Sequence, residues 1–146
     1  MSPSASVLFV CWGHTCRSVM ADAFAKRRYG EFAQFHSAGL YPLEPELADV
    51  TLDTLRFEFG IKVDRHVPHA VKDFDLTEFT YVVAMDKEVG RELRKLTPRD
   101  VIVWNIKDPW GSDLAELKRC ALKILGRLAE FVAASEIVSA SRPSEG

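Results

Sequence analysis

Four short apolar runs punctuate the chain, at residues 7–10, 32–36, 81–85 and 101–104, and the stretches between the first three are long enough to hold helices. A strand buried on both faces reads as a continuous apolar run, and strands joined through helical crossovers pair in parallel. The expected class is therefore α/β, a single-domain four-stranded parallel sheet flanked by helices, with every strand buried on both faces. Val7, Leu8, Phe9 and Val10 lead into Cys11, after which Met20, Ala23, Phe24 and Ala25 supply the apolar face of a helix that stops near Gly30. The second run is closed by Ser37, Ala38 and Gly39. A helix over 45–59 follows, ended by Gly60, and another over 87–96 lies behind the third run. Leu117, Ala121, Ile124, Leu128 and Val132 recur at three- and four-residue spacing and mark a strongly amphipathic last helix.

Size and charge narrow the function. At 146 residues the chain suits one hydrophobic core, read here as a domain over 1–138 followed by a polar tail, 139–146, expected to be disordered. With 19 Lys and Arg against 21 Asp and Glu, the net charge of -2 gives no basic excess for a nucleic-acid backbone. No apolar run approaches the roughly 20 residues that span a bilayer, and the first residues lack a signal-peptide pattern, so a cytoplasmic protein is expected, with neither nucleic acid nor membrane as partner. The three cysteines cannot all pair within one chain, so at least one thiol is free.

The segment Cys11, Trp12, Gly13, His14, Thr15, Cys16, Arg17, Ser18 joins the carboxyl end of a buried strand to the start of a helix. Open α/β sheets bind ligands there, and a loop entering a helix can aim several backbone N–H groups at one oxyanion. Residues 12–17 are therefore read as an oxyanion-binding loop, for inorganic phosphate or a similar group. Gly13 suits a tight backbone, and the fork of Arg17 grips two oxygens of a tetrahedral anion where lysine offers a point charge. The positive end of a helix and a neighbouring guanidinium together favour a thiolate, which makes Cys11 the candidate nucleophile; the Ser18 hydroxyl can donate to its sulfur. A metal site built on Cys11, His14 and Cys16 has an unusual spacing and no evident fourth ligand, so no metal is expected.

The stretch 7–18, VLFVCWGHTCRS, with the following VMADAF, resembles the opening of the low-molecular-weight protein tyrosine phosphatases. The resemblance continues through Ser37-Ala38-Gly39, through His66, through 81–86, and through Asp108-Pro109, which is similar to the family's general-acid dipeptide. It implies flavodoxin-like winding, a cysteinyl-phosphate intermediate formed on Cys11, no metal or organic cofactor, Asp108 as general acid and base, and loop support from Ser37 and His66. The partner it implies is a phosphorylated protein. Asp108 also stands on its own: it follows the fourth strand, on the sheet side that carries Cys11. Trp12, Tyr41 and Trp110 are candidate walls of a cleft for a flat leaving group.

Three residues of the loop leave alternatives open. His14 stands where the family usually has asparagine, which puts the loop's shape in question and admits a phospho-ligand binding module without turnover. Thr15 resembles the threonine of bacterial protein arginine phosphatases, so phosphoarginine stands as the alternative to phosphotyrosine. Cys16, five residues from Cys11, is a candidate for a reversible disulfide, whereas Cys120 reads as a packing cysteine. Arsenate reductases bind an oxyanion in a similar loop but relay oxidation through further cysteines, which the stretch between Cys16 and Cys120 does not supply. His36 and His69 are given no part.

Overall fold

The computed structural model describes residues 5–63, 66–109, 113–135 and 137. Trp110, proposed above as a pocket wall, and the tail lie outside these residues. Strand β1 (Ser6–Cys11) pairs in parallel with β2 (Gln34–Gly39) on one side and β3 (Tyr81–Ala84) on the other, and β4 (Ile102–Val103) adds to β3. The order β2-β1-β3-β4 is the expected flavodoxin-like winding. Successive crossovers diverge on either side of β1, and the crevice this leaves lies at the carboxyl ends of β1 and β3. Cys11 is the last residue of β1 and stands at that crevice.

Alternation along β1 divides the core between the two faces of the sheet. Val7, Phe9 and Cys11 point into a cluster with helices α1 (Arg17–Tyr29) and α4 (Leu114–Ala134), and Leu55 of α2 (Asp49–Phe59) joins the same cluster. Leu8 and Val10 point the other way, against Val89 and Leu93 of α3 (Lys87–Leu96). Fully buried side chains such as Ile124 and Leu128 each contribute roughly 1.5–3 kcal/mol through area removed from water. Asp86 and Asp113 cap α3 and α4, accepting from the Val89 and Glu116 amides at 2.8 and 3.0 Å. Gly60 closes α2 at φ 69°, a left-handed position natural to glycine.

The structure corrects four expectations. The second strand runs over Gln34–Gly39 rather than 32–36, because the ladder opens with the Gln34 amide on the Ala5 carbonyl and then takes in Ser37, Ala38 and Gly39. As an edge strand β2 is not buried on both faces: Gln34 and His36 are exposed while Phe35 and Ser37 are buried. At the other edge, β4 is only half buried and is reduced to two residues. The stretch 45–59 is not one helix but a 3₁₀ turn (Pro45–Ala48) followed by α2, with Pro45 at the first position of the turn.

Candidate active site

The loop between β1 and α1 is shaped from outside. The carbonyls of Cys11, Trp12 and Gly13 accept from the amides of Leu40, Tyr41 and Leu43 at 3.1, 2.9 and 3.0 Å, so residues 40–43 continue the β1–β2 ladder alongside the loop. The next carbonyl, that of His14, accepts from His66 Nε2 at 2.7 Å. In a trans peptide the N–H points opposite to the C=O it follows. Tying these carbonyls outward therefore turns the amides that follow them, Gly13, His14 and Thr15 among them, toward the loop's interior, as an anion nest requires.

Two close approaches hold this geometry. A Cβ added to Gly39 would lie 2.8 Å from the His14 nitrogen and 2.9 Å from the Gly13 carbonyl carbon, both main-chain atoms, so only glycine lets β2 pass so near the loop. A Cβ on Gly13 would lie 2.6 Å from Leu43 Cδ1.

His14 takes a left-handed backbone at φ 55°. Its ring is fully engaged: the His69 amide donates to Nδ1 at 2.8 Å, which leaves the ring proton on Nε2. Nε2 donates to Ser37 Oγ at 2.8 Å, and the Ser37 hydroxyl donates to Asp22 Oδ2 at 2.7 Å. Lys26 Nζ lies 3.0 Å from the other Asp22 oxygen. Burial first, and then the neighbouring His66, His69 and Lys26, push the His14 pKa down to about 3, so the imidazole stays neutral and the chain of donors keeps one direction.

At the mouth of α1, Cys11 Sγ lies 2.8 Å from Ser18 Oγ, and both residues are buried. Arg17 is buried too. Its Nη1 donates to Asp86 Oδ2 at 2.7 Å and to the Ile106 carbonyl at 2.9 Å, while Nη2 lies 3.8 Å from Asp108 Oδ2. Burial disfavours the guanidinium charge, but the Asp86 bond and the fields of Cys11, Asp108 and Asp86 outweigh it and raise the Arg17 pKa above its ordinary value. The side chain of Asp108 is half exposed, at the rim. Thr15 is buried and Cys16 half-buried, and burial pushes the Cys16 pKa up to about 12. Trp12 and Tyr41, both exposed, face each other with ring centroids 4.9 Å apart.

The structure thus brings together Cys11, Arg17, Ser18 and Asp108, with Ser37 and His66 behind the loop and Trp12 and Tyr41 outside it. Sequence reading missed Asp86, Asp22 and His69. Asp86 carried a signal in Asp-Lys-Glu-Val, a helix N-cap pattern directly after a strand. Asp22 and His69 act only through contacts 15 and 55 residues away in the chain, which no local pattern reveals.

The family profile described as low molecular weight phosphotyrosine protein phosphatase matches residues 6–140. The chain belongs to this family. A low molecular weight protein-tyrosine-phosphatase of Bacillus subtilis is 37% identical over 98 residues, which is 62% of this chain and 62% of the relative, so that alignment spans less than two thirds of either protein. An arsenate reductase of Staphylococcus epidermidis is 27% identical over 130 residues, 86% of this chain and 94% of the relative. Among solved structures, an arginine phosphatase from Geobacillus stearothermophilus superposes with a TM-score of 0.81 at 21% identity, over 97% of this chain and 99% of that one, and so shares the fold.

Proposed function

We propose that the protein hydrolyses phosphotyrosine in proteins through a phosphocysteine on Cys11. The observation that carries this reading is the 2.8 Å contact between Cys11 Sγ and Ser18 Oγ at the head of α1, beside a guanidinium whose Nη1 is already committed to Asp86 and Ile106. The Nε and Nη2 donors of Arg17 then serve the equatorial oxygens of the phosphoryl group together with the inward amides. The Cys11 thiolate attacks phosphorus; an S–P bond forms as the P–O bond to the leaving group breaks, and Asp108 gives its proton to the leaving oxygen. Asp108, now ionised, takes a proton from water as that water attacks phosphorus, and the sulfur departs as a thiolate steadied by the Ser18 hydroxyl. A phenolate leaves far more readily than a serine alkoxide, which makes a single aspartic acid sufficient assistance.

The test is turnover of an aryl phosphate and of a phosphotyrosine peptide with excess chelator present. Steady hydrolysis that vanishes in Cys11→Ser supports the reading; oxyanion binding without turnover leaves a binding module instead. What speaks against that module is that the His14 ring is hydrogen-bonded at both nitrogens, which ties the loop to Ser37 and His69.

Phosphoarginine is the second reading, favoured by Thr15, whose hydroxyl is buried in the loop. If that is the substrate, Thr15→Ile lowers phosphoarginine turnover relative to phosphotyrosine turnover; an unchanged ratio removes the argument. Arsenate reduction fits less well. It needs further thiolates to relay oxidation, while burial pushes Cys16 and Cys120 up to about 12 and about 11, holding both as thiols. The location in a reducing compartment and the phosphoprotein partner are part of the same proposal.

A further inference from the structure

All four histidines of the chain, His14, His36, His66 and His69, line one cavity of about 880 Å³ between α1, the edge strand β2 and residues drawn from 61–63 and 66–74. Cys11, Arg17 and Asp108 do not line it, so it is a different space from the phosphoryl site. Its size falls within the range of roughly 300–1,000 Å³ usual for small-molecule sites.

The wall chemistry selects a class of ligand. Lys26, Arg27 and Lys62 contribute three cationic side chains against two carboxylates, Asp22 and Asp73. Asp22 pairs with Lys26 and accepts from the Ser37 hydroxyl; that pair cancels one charge of each sign, and the lining side chains keep a cationic excess of one. Phe74 supplies a flat apolar wall, with its ring centroid 6.3 Å from that of His36 and 6.4 Å from that of His69. Val19, Ile61 and Val63 add apolar lining. Among the described residues no group of three or more histidines, cysteines or carboxylates is placed to hold a metal ion, so the four imidazoles act as ring surfaces and hydrogen-bonding groups. Flat walls with a cationic rim match an aromatic ring that carries one acidic group.

The cavity also touches the phosphate loop from outside. His14, Ser37 and His66 line it, and these are the residues whose hydrogen bonds fix the left-handed turn at His14 and hold its carbonyl outward. We propose that this cavity is a second ligand site, for a small aromatic anion, and that its occupant changes the oxyanion affinity of the Cys11 loop through His14 and His66. Coupling of this kind is reciprocal: whatever the occupant does to phosphate binding, phosphate does to the occupant.

The test uses the full chain, with two probes of the same shape, 2-naphthoate and 2-naphthylphosphonate, titrated by calorimetry into protein saturated with orthophosphate so that the Cys11 loop is filled. Saturable one-to-one binding is expected for at least one probe, with Kd on the order of 0.1 mM. The two arms separate a carboxylate ligand from a phosphate-like one. In Arg27→Glu/Lys62→Glu the affinity falls at least about tenfold, and Val67→Trp, which fills the rim of the cavity, gives the same loss by bulk. Arg119→Glu, on α4, leaves binding unchanged. The orthophosphate Kd, measured with and without saturating probe, shifts at least about twofold in the wild type and not in the charge-reversed variant. The proposal is overturned if neither probe binds, if orthophosphate abolishes binding, if binding survives both variants unchanged, or if the orthophosphate Kd does not respond. None of these readouts requires turnover, so failure of the phosphatase reaction and failure of the second site are seen separately.

Discussion

Arg17 Nη1 lies 2.7 Å from Asp86 Oδ2, and the same nitrogen reaches the Ile106 carbonyl at 2.9 Å, so one end of the guanidinium is fixed by the chain following β3 and by the chain following β4. A fork held at one end presents its other donors in one direction, with little rotamer freedom left to lose when an anion arrives. Asp86 has a second task in capping α3 through Oδ1. Asparagine keeps a capping oxygen but removes the charge. Asp86→Asn should therefore lower kcat/KM for an aryl phosphate about tenfold or more, equivalent to about 1.4 kcal/mol, and should lower the urea midpoint as well, because the buried guanidinium loses its nearest charged partner. Asp86→Ala should show the same kinetic loss together with about 1 kcal/mol of stability lost beyond that of Asp86→Asn, since it removes the cap too. Full activity in Asp86→Asn would separate this ion pair from catalysis.

His14 imposes a pH dependence on folding. In the folded chain its pKa is depressed from 6.5 to about 3, so between these values the unfolded chain takes up a proton that the folded chain refuses. The contribution is complete above pH 6.5 and is lost progressively as the pH falls toward 3, at about 1.4 kcal/mol per pH unit. His14→Asn removes the titrating ring while keeping a residue tolerant of left-handed backbone. Urea unfolding at pH 6.5 and 4.5 should show the wild type losing more stability than the variant, by a difference on the order of 2 kcal/mol. Equal losses would mean that the ring is protonated in the folded state.

Gly39 is a test of shape without chemistry. The methyl of Gly39→Ala would meet main-chain atoms of His14 and Gly13 at 2.8 and 2.9 Å, and neither can move without moving the amides of the proposed oxyanion nest. The affinity for orthophosphate should drop at least about tenfold, a loss of about 1.4 kcal/mol, and heteronuclear NMR should place the largest shifts at residues 12–16. An alanine variant that binds orthophosphate normally would show that the loop is not held by β2.

Much of this arrangement was legible in the sequence because it is local. The run Val7 to Val10 has no exposed surface, so its apolar character alone marked it as a central strand, and the loop from Cys11 to Ser18 is set by its position between that strand and α1. What escaped was non-local. The start of β2 depends on the Ala5 carbonyl across the sheet, and the apolar look of Phe32 outweighed that unseen partner. Asp86 went unread although Asp-Lys-Glu-Val carries a helix-cap pattern, and nothing adjacent in the chain revealed the arginine 69 residues earlier that takes its other oxygen. The histidines at 36, 66 and 69 are spread along the chain and converge only through the fold.

Asp108 is the remaining separable element of the proposed reaction. Its side chain is half exposed and its Oδ2 lies 3.8 Å from Arg17 Nη2, at the edge of the space where an anion held by Arg17 would sit. In the proposed reaction that carboxyl would stand beside the leaving oxygen, and its contact with solvent would let it exchange protons with water between turnovers. Asp108→Asn retains the size and polarity of the side chain but cannot transfer a proton, so hydrolysis of phenyl phosphate should slow at least about tenfold. With a leaving group that departs unaided, such as a dinitrophenolate, formation of the phosphocysteine should slow far less, and a burst of released phenol ahead of slow steady turnover should appear, because the variant still forms the intermediate but lacks the base that activates water. Equal slowing of both substrates, with no burst, would assign Asp108 a part in holding Arg17 rather than in moving a proton.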